Sequence, residues 1–198
     1  MIEERWFHIT NANKIDSPAL LVYPERVKAN IRYAIKMTGD ANRLRPHVKT
    51  HKCAEVAGLM MDAGIYKFKC ATIAEAEMLG ISKAADVLLA YQPVGPKLQR
   101  FIALVKKYTG TRFSCLTDNV GSATEQSNAF SVAGIVVPVY IDLDVGMNRT
   151  GIKPGDEALE LYAYCAAAPG MNIKGLHAYD GHIRDIENAT KKKKADDA

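Results

Sequence analysis

The stretch Ile-Val-Val-Pro-Val-Tyr-Ile-Asp-Leu, residues 135–143, decides the fold class of this chain. It is apolar almost throughout, and its one charged side chain is Asp142. A strand with one face in water alternates apolar and polar residues, whereas a strand of a parallel sheet is covered on both faces and is almost continuously apolar. The stretch therefore predicts a buried strand of a parallel sheet.

Similar units lie on both sides of this strand. Strand-like runs begin near residues 44, 66, 86, 111, 136 and 171. Helical patterns lie between them, over 53–63, 74–84, 96–108, 122–132 and 157–168. Such repeated strand–helix units indicate an α/β fold of parallel strands joined by helical crossovers. An open doubly wound sheet and a TIM (β/α)8-type barrel both fit. A complete barrel needs eight strands and about 250 residues, so a barrel here would be incomplete, with about six βα units.

The first 40 residues predict a strand and a helix that precede the repeated units and pack ahead of them. Ser17-Pro18 precedes an apolar run over 19–23, which we interpret as a strand. Residues 24–37 then show helical spacing, with Val27, Ile31 and Ile35 on one face.

Composition excludes several classes of function. The chain has 198 residues, 48% of them apolar and 24% charged, which is an ordinary globular balance. Its 26 Lys and Arg exceed its 22 Asp and Glu by four, and the run Lys191–Lys194 accounts for that whole difference. No apolar run approaches the roughly 18 residues that span a bilayer, and the N-terminus lacks the pattern of a secretory signal. We therefore expect a cytoplasmic protein that binds neither nucleic acid nor a membrane.

The densest polar segment is Arg-Pro-His-Val-Lys-Thr-His-Lys, residues 45–52. On an extended strand Arg45, His47, Lys49 and His51 would share one face. Neighbouring positive charge lowers a lysine pKa, and a neutral lysine amine can form a Schiff base with a carbonyl. A solvated basic loop explains the segment equally well.

Three other polar segments follow predicted strands, where barrel enzymes place their catalytic groups. Asp142–Gly151 contains Arg149, which offers a planar fork to an anionic oxygen; a turn closed by an Asp–Arg pair is the alternative. Residues 175–182, Gly-Leu-His-Ala-Tyr-Asp-Gly-His, bring a ring, a carboxylate and two imidazoles together, and favour a site. Gln92, after the strand near 86, fits a polar turn slightly better than a site.

Taken in order, these segments resemble the fold-type III pyridoxal-phosphate enzymes, and most closely the D-threonine aldolase and D-serine dehydratase group. Alanine racemase is a more distant relative. The resemblance is carried by RPHVKTHK (45–52), AYQPVG (90–95), DVGMNRTG (144–151), HAYDGH (177–182) and the opening IDSPALLVYPERVKANI (15–31). It implies an alanine-racemase-like N-terminal barrel in which residues 1–198 form one domain that binds pyridoxal 5'-phosphate.

The resemblance also implies residue roles. Lys49 matches the lysine that forms the Schiff base with the cofactor, and Arg149 matches the arginine near its phenolic oxygen and the substrate carboxylate. Tyr179 falls where a ring lies against the cofactor, and His47 and Gln92 match positions that line the same pocket. His182 is a candidate acid/base group. Asp142 stands where alanine racemase has a modified lysine, which argues against plain alanine racemase activity.

The function implied is a lyase that cleaves or eliminates at β-hydroxy-D-amino acids, with D-threonine aldolase chemistry favoured. An amino-acid racemase, a cofactor-binding protein without turnover and an inactive fragment are the alternatives. The family barrel continues for two more units and a β-domain, so we expect an N-terminal fragment of a longer enzyme. No metal site is expected here; a divalent metal, Zn or Mn, is expected only in the full-length parent. The expected partners are a small D-amino acid as substrate and a second copy in a homodimer.

Overall fold

The computed structural model describes residues 7–197, and within them helices alternate with strands. The helices are α1 (Pro24–Thr38), α2 (Ala54–Asp62), α3 (Ile73–Ile81), α4 (Pro96–Lys107), α5 (Val120–Val132), α6 (Asp156–Ala167) and α7 (Asn188–Asp196). The strands are β1 (Lys67–Cys70), β2 (Asp86–Leu89), β3 (Arg112–Thr117), β4 (Val137–Leu143) and β5 (Met171–Ala178). Most of these bounds lie within two residues of the predicted ones.

All five strands are parallel and follow the order β1-β2-β3-β4-β5, as the crossover spacing predicted. The sheet is strongly curved. Lys69 of β1 and His177 of β5 lie on its two outer strands, yet their side-chain nitrogens are 2.6 Å apart. In a flat sheet the backbones of these strands would be roughly 19 Å apart, at about 4.8 Å per strand. The sheet is therefore a section of barrel wall, and the two side chains meet inside it.

The core lies between the outer face of the sheet and the helices. Phe68 of β1, Phe101 of α4 and Phe130 of α5 are fully buried, and the rings of Phe101 and Phe130 are 6.3 Å apart and tilted by 53°. Alternate residues of β4 point outward into this core: Val137, Val139 and Ile141 are all fully buried. Burial on the outer face explains the apolar residues of β4, and contacts with His177 and Gln92 on the inner face explain its single carboxylate, Asp142.

The predicted strand near residue 44 is wrong. His47 makes one isolated parallel bridge to Lys69, and residues Val48–Thr50 turn into a short 3-10 helix. Pro46 has no N–H to donate to a ladder, although its carbonyl accepts from the Lys69 N–H at 2.9 Å. The imidazole of His47 accepts from the backbone N–H of Lys49, which stabilises the turn instead of a strand.

The predicted strand over 19–23 is also wrong, whereas the helix after it is confirmed as α1. No described strand pairs with residues 19–23, and Leu20 is 78% exposed. An extended segment becomes a strand only when a neighbour accepts and donates its backbone hydrogen bonds. Residues 1–6 and 198 of the predicted domain lie outside the described part.

In residues 7–197 no helix is both long and apolar enough to cross a membrane. The lysine run 191–194 lies in the exposed helix α7.

Asp86 joins neighbouring segments at the amino-terminal end of the sheet through ion pairs. Its carboxylate pairs with Arg45 and Arg112, and Arg112 Nε donates to it at 3.1 Å. Burial tends to raise the pKa of Asp86, but the hydrogen bonds from both arginines outweigh burial and hold the pKa below its ordinary value. Arg45 is therefore a structural residue at this end, and does not share a face with Lys49.

Asp86→Asn is expected to lower the free energy of unfolding at neutral pH by about 1.5–3 kcal/mol, the range for hydrogen bonds to a charged group. Because the folded-state pKa lies below the unfolded one, this stabilisation is full above about pH 4 and is lost as pH falls through the folded-state pKa. Urea unfolding between neutral and acidic pH should show the difference from the unsubstituted chain shrinking on acidification. The exposed Asp62, substituted by Asn, is the control; a loss independent of pH would contradict the prediction.

Candidate active site

A cleft of about 280 Å³ opens at the carboxyl end of the sheet. It is lined by His47, Lys49, Lys69, Ala71, Ala90, Tyr91, Arg149, Thr150, His177 and Tyr179. Four of the predicted site residues thus meet here: His47, Lys49, Arg149 and Tyr179. A larger apolar groove between α6 and β5, about 600 Å³ in volume, holds only one charged side chain, Asp156, and offers no comparable chemistry.

Lys49 reaches the cleft from the short 3-10 helix rather than from a strand. Val48, the residue before it, is fully buried and anchors this turn in the core, while Lys49 is exposed. The predicted common face of Arg45, His47, Lys49 and His51 is wrong, because the turn rotates the chain. His51 points back to its own segment, where its Nδ1 accepts from the Cys53 N–H at 3.1 Å.

His47 supports Lys49 as a neutral imidazole. Burial, followed by the charges of Lys49 and Lys69, lowers the pKa of His47 to about 4. Its Nδ1 lies 3.2 Å from the Lys49 backbone nitrogen and accepts that hydrogen bond. The ring therefore fixes the backbone that carries the Lys49 amine and adds no charge to the cleft at neutral pH.

Arg149 and Tyr179 face each other across the cleft. The guanidinium carbon of Arg149 lies 4.8 Å from the Tyr179 ring centroid, and Lys69 Nζ lies 5.8 Å from it. Such distances are within the range of cation–π attraction. Gly181 leaves room for the Tyr179 ring in this position, because a Cβ at residue 181 would come within 2.4 Å of three Tyr179 side-chain atoms.

Asp142, His177 and Lys69 form a continuous hydrogen-bonded trio inside the barrel wall. His177 Nδ1 is 2.6 Å from Asp142 Oδ1, and His177 Nε2 is 2.6 Å from Lys69 Nζ. Gln92 Nε2 donates to Asp142 Oδ2 at 3.3 Å, so Gln92 reaches the site through Asp142. Burial tends to raise the pKa of Asp142, but hydrogen bonds from His177, Thr150 and Gln92 outweigh it, and its pKa lies below the ordinary value.

Lys69 is the candidate site residue that the sequence reasoning missed. It alternates on β1 with Phe68 and Cys70, which are both fully buried. Because side chains alternate between the two faces of a strand, a lysine between two residues buried in the outer core must face the barrel interior. The alternation Phe68-Lys69-Cys70 is the sequence signal that could have identified Lys69.

His182 lies apart from the cleft-lining residues. It is exposed and packs over Gly146, where a Cβ would come 2.9 Å from its Nε2. Its acid/base role stays a prediction. Among residues 7–197, no group of three or more His, Cys, Asp or Glu side chains is placed to hold a metal ion.

Comparison with known proteins shows the family. The family model described as alanine racemase, N-terminal domain, matches residues 22–196. The chain belongs to the alanine racemase N-terminal domain family. This confirms the resemblance drawn from RPHVKTHK and the later motifs, and it confirms the incomplete barrel, since relatives of this family have the same fold.

Within the alanine racemase N-terminal domain family, several similar relatives are lyases by name. A D-threonine aldolase from Arthrobacter sp is 28% identical over 173 residues, which cover 86% of this chain and 45% of the relative. A 3-hydroxy-D-aspartate aldolase from Paracoccus denitrificans is 28% identical over 192 residues, which cover 94% and 48%. The crystal structure of D-threonine aldolase from Filomicrobium marinum matches with a TM-score of 0.85 at 30% identity, over 94% of this chain and 50% of that one. The chain spans about half the length of these relatives.

Proposed function

We propose that this chain is the cofactor-binding barrel of a pyridoxal-phosphate-dependent lyase that acts on β-hydroxy-D-amino acids, with residues 1–198 as one domain. The observation that carries the proposal is the meeting of the Lys49 amine with Arg149 and Tyr179 in one cleft, in a family whose relatives include D-amino-acid aldolases. A small D-amino acid as substrate, a second copy as partner and a cytoplasmic location are parts of the same proposal.

The residues present fit the cofactor. Pyridoxal phosphate is a flat, anionic aromatic aldehyde, so its site needs a primary amine, cationic groups and a planar apolar surface. Lys49 provides an exposed amine, Arg149 provides positive charge, and the Tyr179 ring provides the flat surface. A volume of about 280 Å³ suits part of such a ligand, and the cleft is open on the remaining side.

When bound, the cofactor would supply an electron sink that stabilises negative charge at the substrate Cα. Lys49 would hold it covalently, and neutral His47 would keep the Lys49 backbone in place. Arg149 would hold an anionic oxygen with its planar fork. Tyr179 would pack one ring face against the ligand and keep water from that side.

The product formed from each substrate tests this function and separates its alternatives. The chain is incubated with pyridoxal phosphate and D-threonine, D-serine or D-threo-3-hydroxyaspartate, with and without Mn²⁺ or Zn²⁺. Release of glycine and an aldehyde from D-threonine is the expected result, because it reports cleavage between Cα and Cβ. An oxo acid with ammonia would indicate dehydration, and an L-isomer would indicate racemisation.

L-Threonine is the control substrate and should give no glycine. Accumulation of the L-isomer without glycine would replace the lyase with the racemase. Cofactor binding without any product would leave the non-catalytic binding protein as the function of this chain.

A further inference from the structure

The trio Asp142–His177–Lys69 restricts where its protons can be. An ionised carboxylate only accepts hydrogen bonds, so His177 carries a proton on Nδ1 and donates it to Asp142 across 2.6 Å. The hydrogen bond between His177 Nε2 and Lys69 Nζ then contains one further proton. With His177 Nδ1 protonated and Nε2 free to accept, Lys69 donates that proton, either as an ammonium or as a neutral amine.

The surroundings favour release of a proton from Lys69. Burial is the largest effect that lowers the pKa of Lys69, and the positive charges of Lys49, Arg149 and Arg45 lower it further. The negative charge of Asp142 acts in the opposite direction and raises the pKa of Lys69, but it does not outweigh the other effects. Lys49 and Arg149 line the cleft with Lys69, Asp142 lies on β4 inside the barrel wall, and Arg45 acts from the amino-terminal end of the sheet.

Asp142 itself is held as a carboxylate inside the barrel. Its side chain is 4% exposed, and that of His177 is 12% exposed. Gln92 and Thr150 donate to it, in addition to His177. A carboxylate that fixes the tautomer of a histidine, which in turn bonds to a third reactive group, is the arrangement by which catalytic triads prepare a nucleophile or base.

We propose that Lys69 is a second amine of the active cleft, distinct from Lys49, which exchanges a proton with the substrate, and that His177 and Asp142 are its positioning residues. This inference rests on the proposed lyase function. Lys69 lines the same cleft as Lys49 and lies 5.8 Å from the centre of the Tyr179 ring, where the proposed function places the ligand.

The protons and electrons of the step balance, and the electron sink that the proposed function requires would stabilise the negative charge left at Cα. Neutral Lys69 takes the proton of the substrate β-hydroxyl, and the O–H electron pair forms the carbonyl bond of the departing aldehyde. The Cα–Cβ bond breaks and its electron pair stays on Cα. Lys69, now an ammonium, returns the proton to Cα, which yields glycine and restores the neutral amine.

The proton state of Lys69 can be tested without cofactor or substrate. Trace acetylation of lysine amines across a pH series, read by mass spectrometry of peptides, should show Lys69 becoming reactive at lower pH than Lys67, its neighbour on β1. Asp142→Asn keeps an acceptor for His177 but removes the negative charge, so it should move the Lys69 midpoint to still lower pH. Lys69→Met should change the nitrogen NMR signals of His177, whereas Lys67→Met should leave them unchanged.

Activity supplies the second readout. Lys69→Met should keep the spectrum of the bound cofactor and lower turnover by about 10²–10⁴-fold, the contribution of a general acid or base. Lys67→Met should leave turnover unchanged. Asp142→Asn should shift the pH profile of kcat in the same direction as the labelling midpoint.

The outcomes separate the two proposals. An unsubstituted chain with neither bound cofactor nor turnover would overturn the lyase function, and the labelling and NMR results would still decide the proton state of Lys69. Normal turnover in Lys69→Met would overturn this inference while leaving the lyase function intact. Lys69 labelling at the same pH as Lys67, with unchanged His177 signals in Lys69→Met, would overturn it as well.

Discussion

Lys49→Ala is expected to abolish covalent cofactor binding and to lower turnover by at least about 10³-fold, as loss of a covalent catalytic group does. The physical reason is that no other group of the 3-10 turn can replace the amine. Absorbance spectra of the chain with added pyridoxal phosphate should show the band of the lysine-bound cofactor, and Lys49→Ala should lack it. Because Lys49 is exposed, thermal unfolding should change little.

Two further variants separate the covalent attachment of the cofactor to Lys49 from the effect of the positive charge of Lys49. Lys49→Arg keeps the positive charge but cannot bind the aldehyde, so it should also lack the band. Lys153→Ala removes an exposed lysine outside the cleft and should keep it. A band that persisted in Lys49→Ala would assign the attachment to another amine, and Lys69 is the other lysine that lines the cleft.

Gly151→Ala is the substitution expected to damage the folded site most. Gly151 has a φ of +105°, and a Cβ there would lie 2.5 Å from the backbone nitrogen of Asp144 and 2.6 Å from the carbonyl carbon of Leu143. Neither backbone atom can move without breaking the pairing of Ile152 with β4, in which Asp144 N donates to Ile152 O at 2.9 Å. Backbone strain of roughly 1–3 kcal/mol and overpacking of roughly 1–3 kcal/mol should together lower stability by about 4 kcal/mol.

The same substitution should displace Arg149 from the face of Tyr179, because Gly151 ends the loop that carries Arg149. Urea unfolding measures the loss of stability, and cofactor titration measures the loss of the arginine. Gly134→Ala is the matched control: its φ is +66°, but a Cβ there meets no atom within 4 Å. It should cost only about 1–2 kcal/mol, from the left-handed backbone. Equal losses of unfolding free energy in the two variants would show that small atomic shifts relieve the close contact at Gly151 with little energetic cost.

Local sequence patterns were sufficient for the order of elements. The apolar run over 135–143 predicted β4, found at Val137–Leu143, because full burial on one face and packing on the other leave a continuous apolar signature. The helical pattern over 96–108 predicted α4, found at Pro96–Lys107. Each of these signals lies within about a dozen residues, the range in which backbone conformation and side-chain direction are coupled.

Local patterns failed where backbone pairing decided the outcome. Residues 45–50 alternate like a strand, but Pro46 cannot donate and the His47 ring bonds to the Lys49 N–H, so the segment turns after a single bridge. Residues 19–23 are apolar like a strand, but they have no strand beside them in the described chain. Pairing depends on which segments become neighbours, and a single segment does not contain that information.

The sequence by itself determined the parallel α/β class, the order of most helices and strands, and the position of Arg149 and Tyr179 in motifs that follow strands. Only the tertiary structure decided that Lys69, Asp142 and His177 form one hydrogen-bonded unit. Lys69 and His177 are 108 positions apart, and Asp142 and His177 are 35 apart. Their contact depends on how far the five-stranded sheet curves, which is set by twist and helix packing summed over the whole domain.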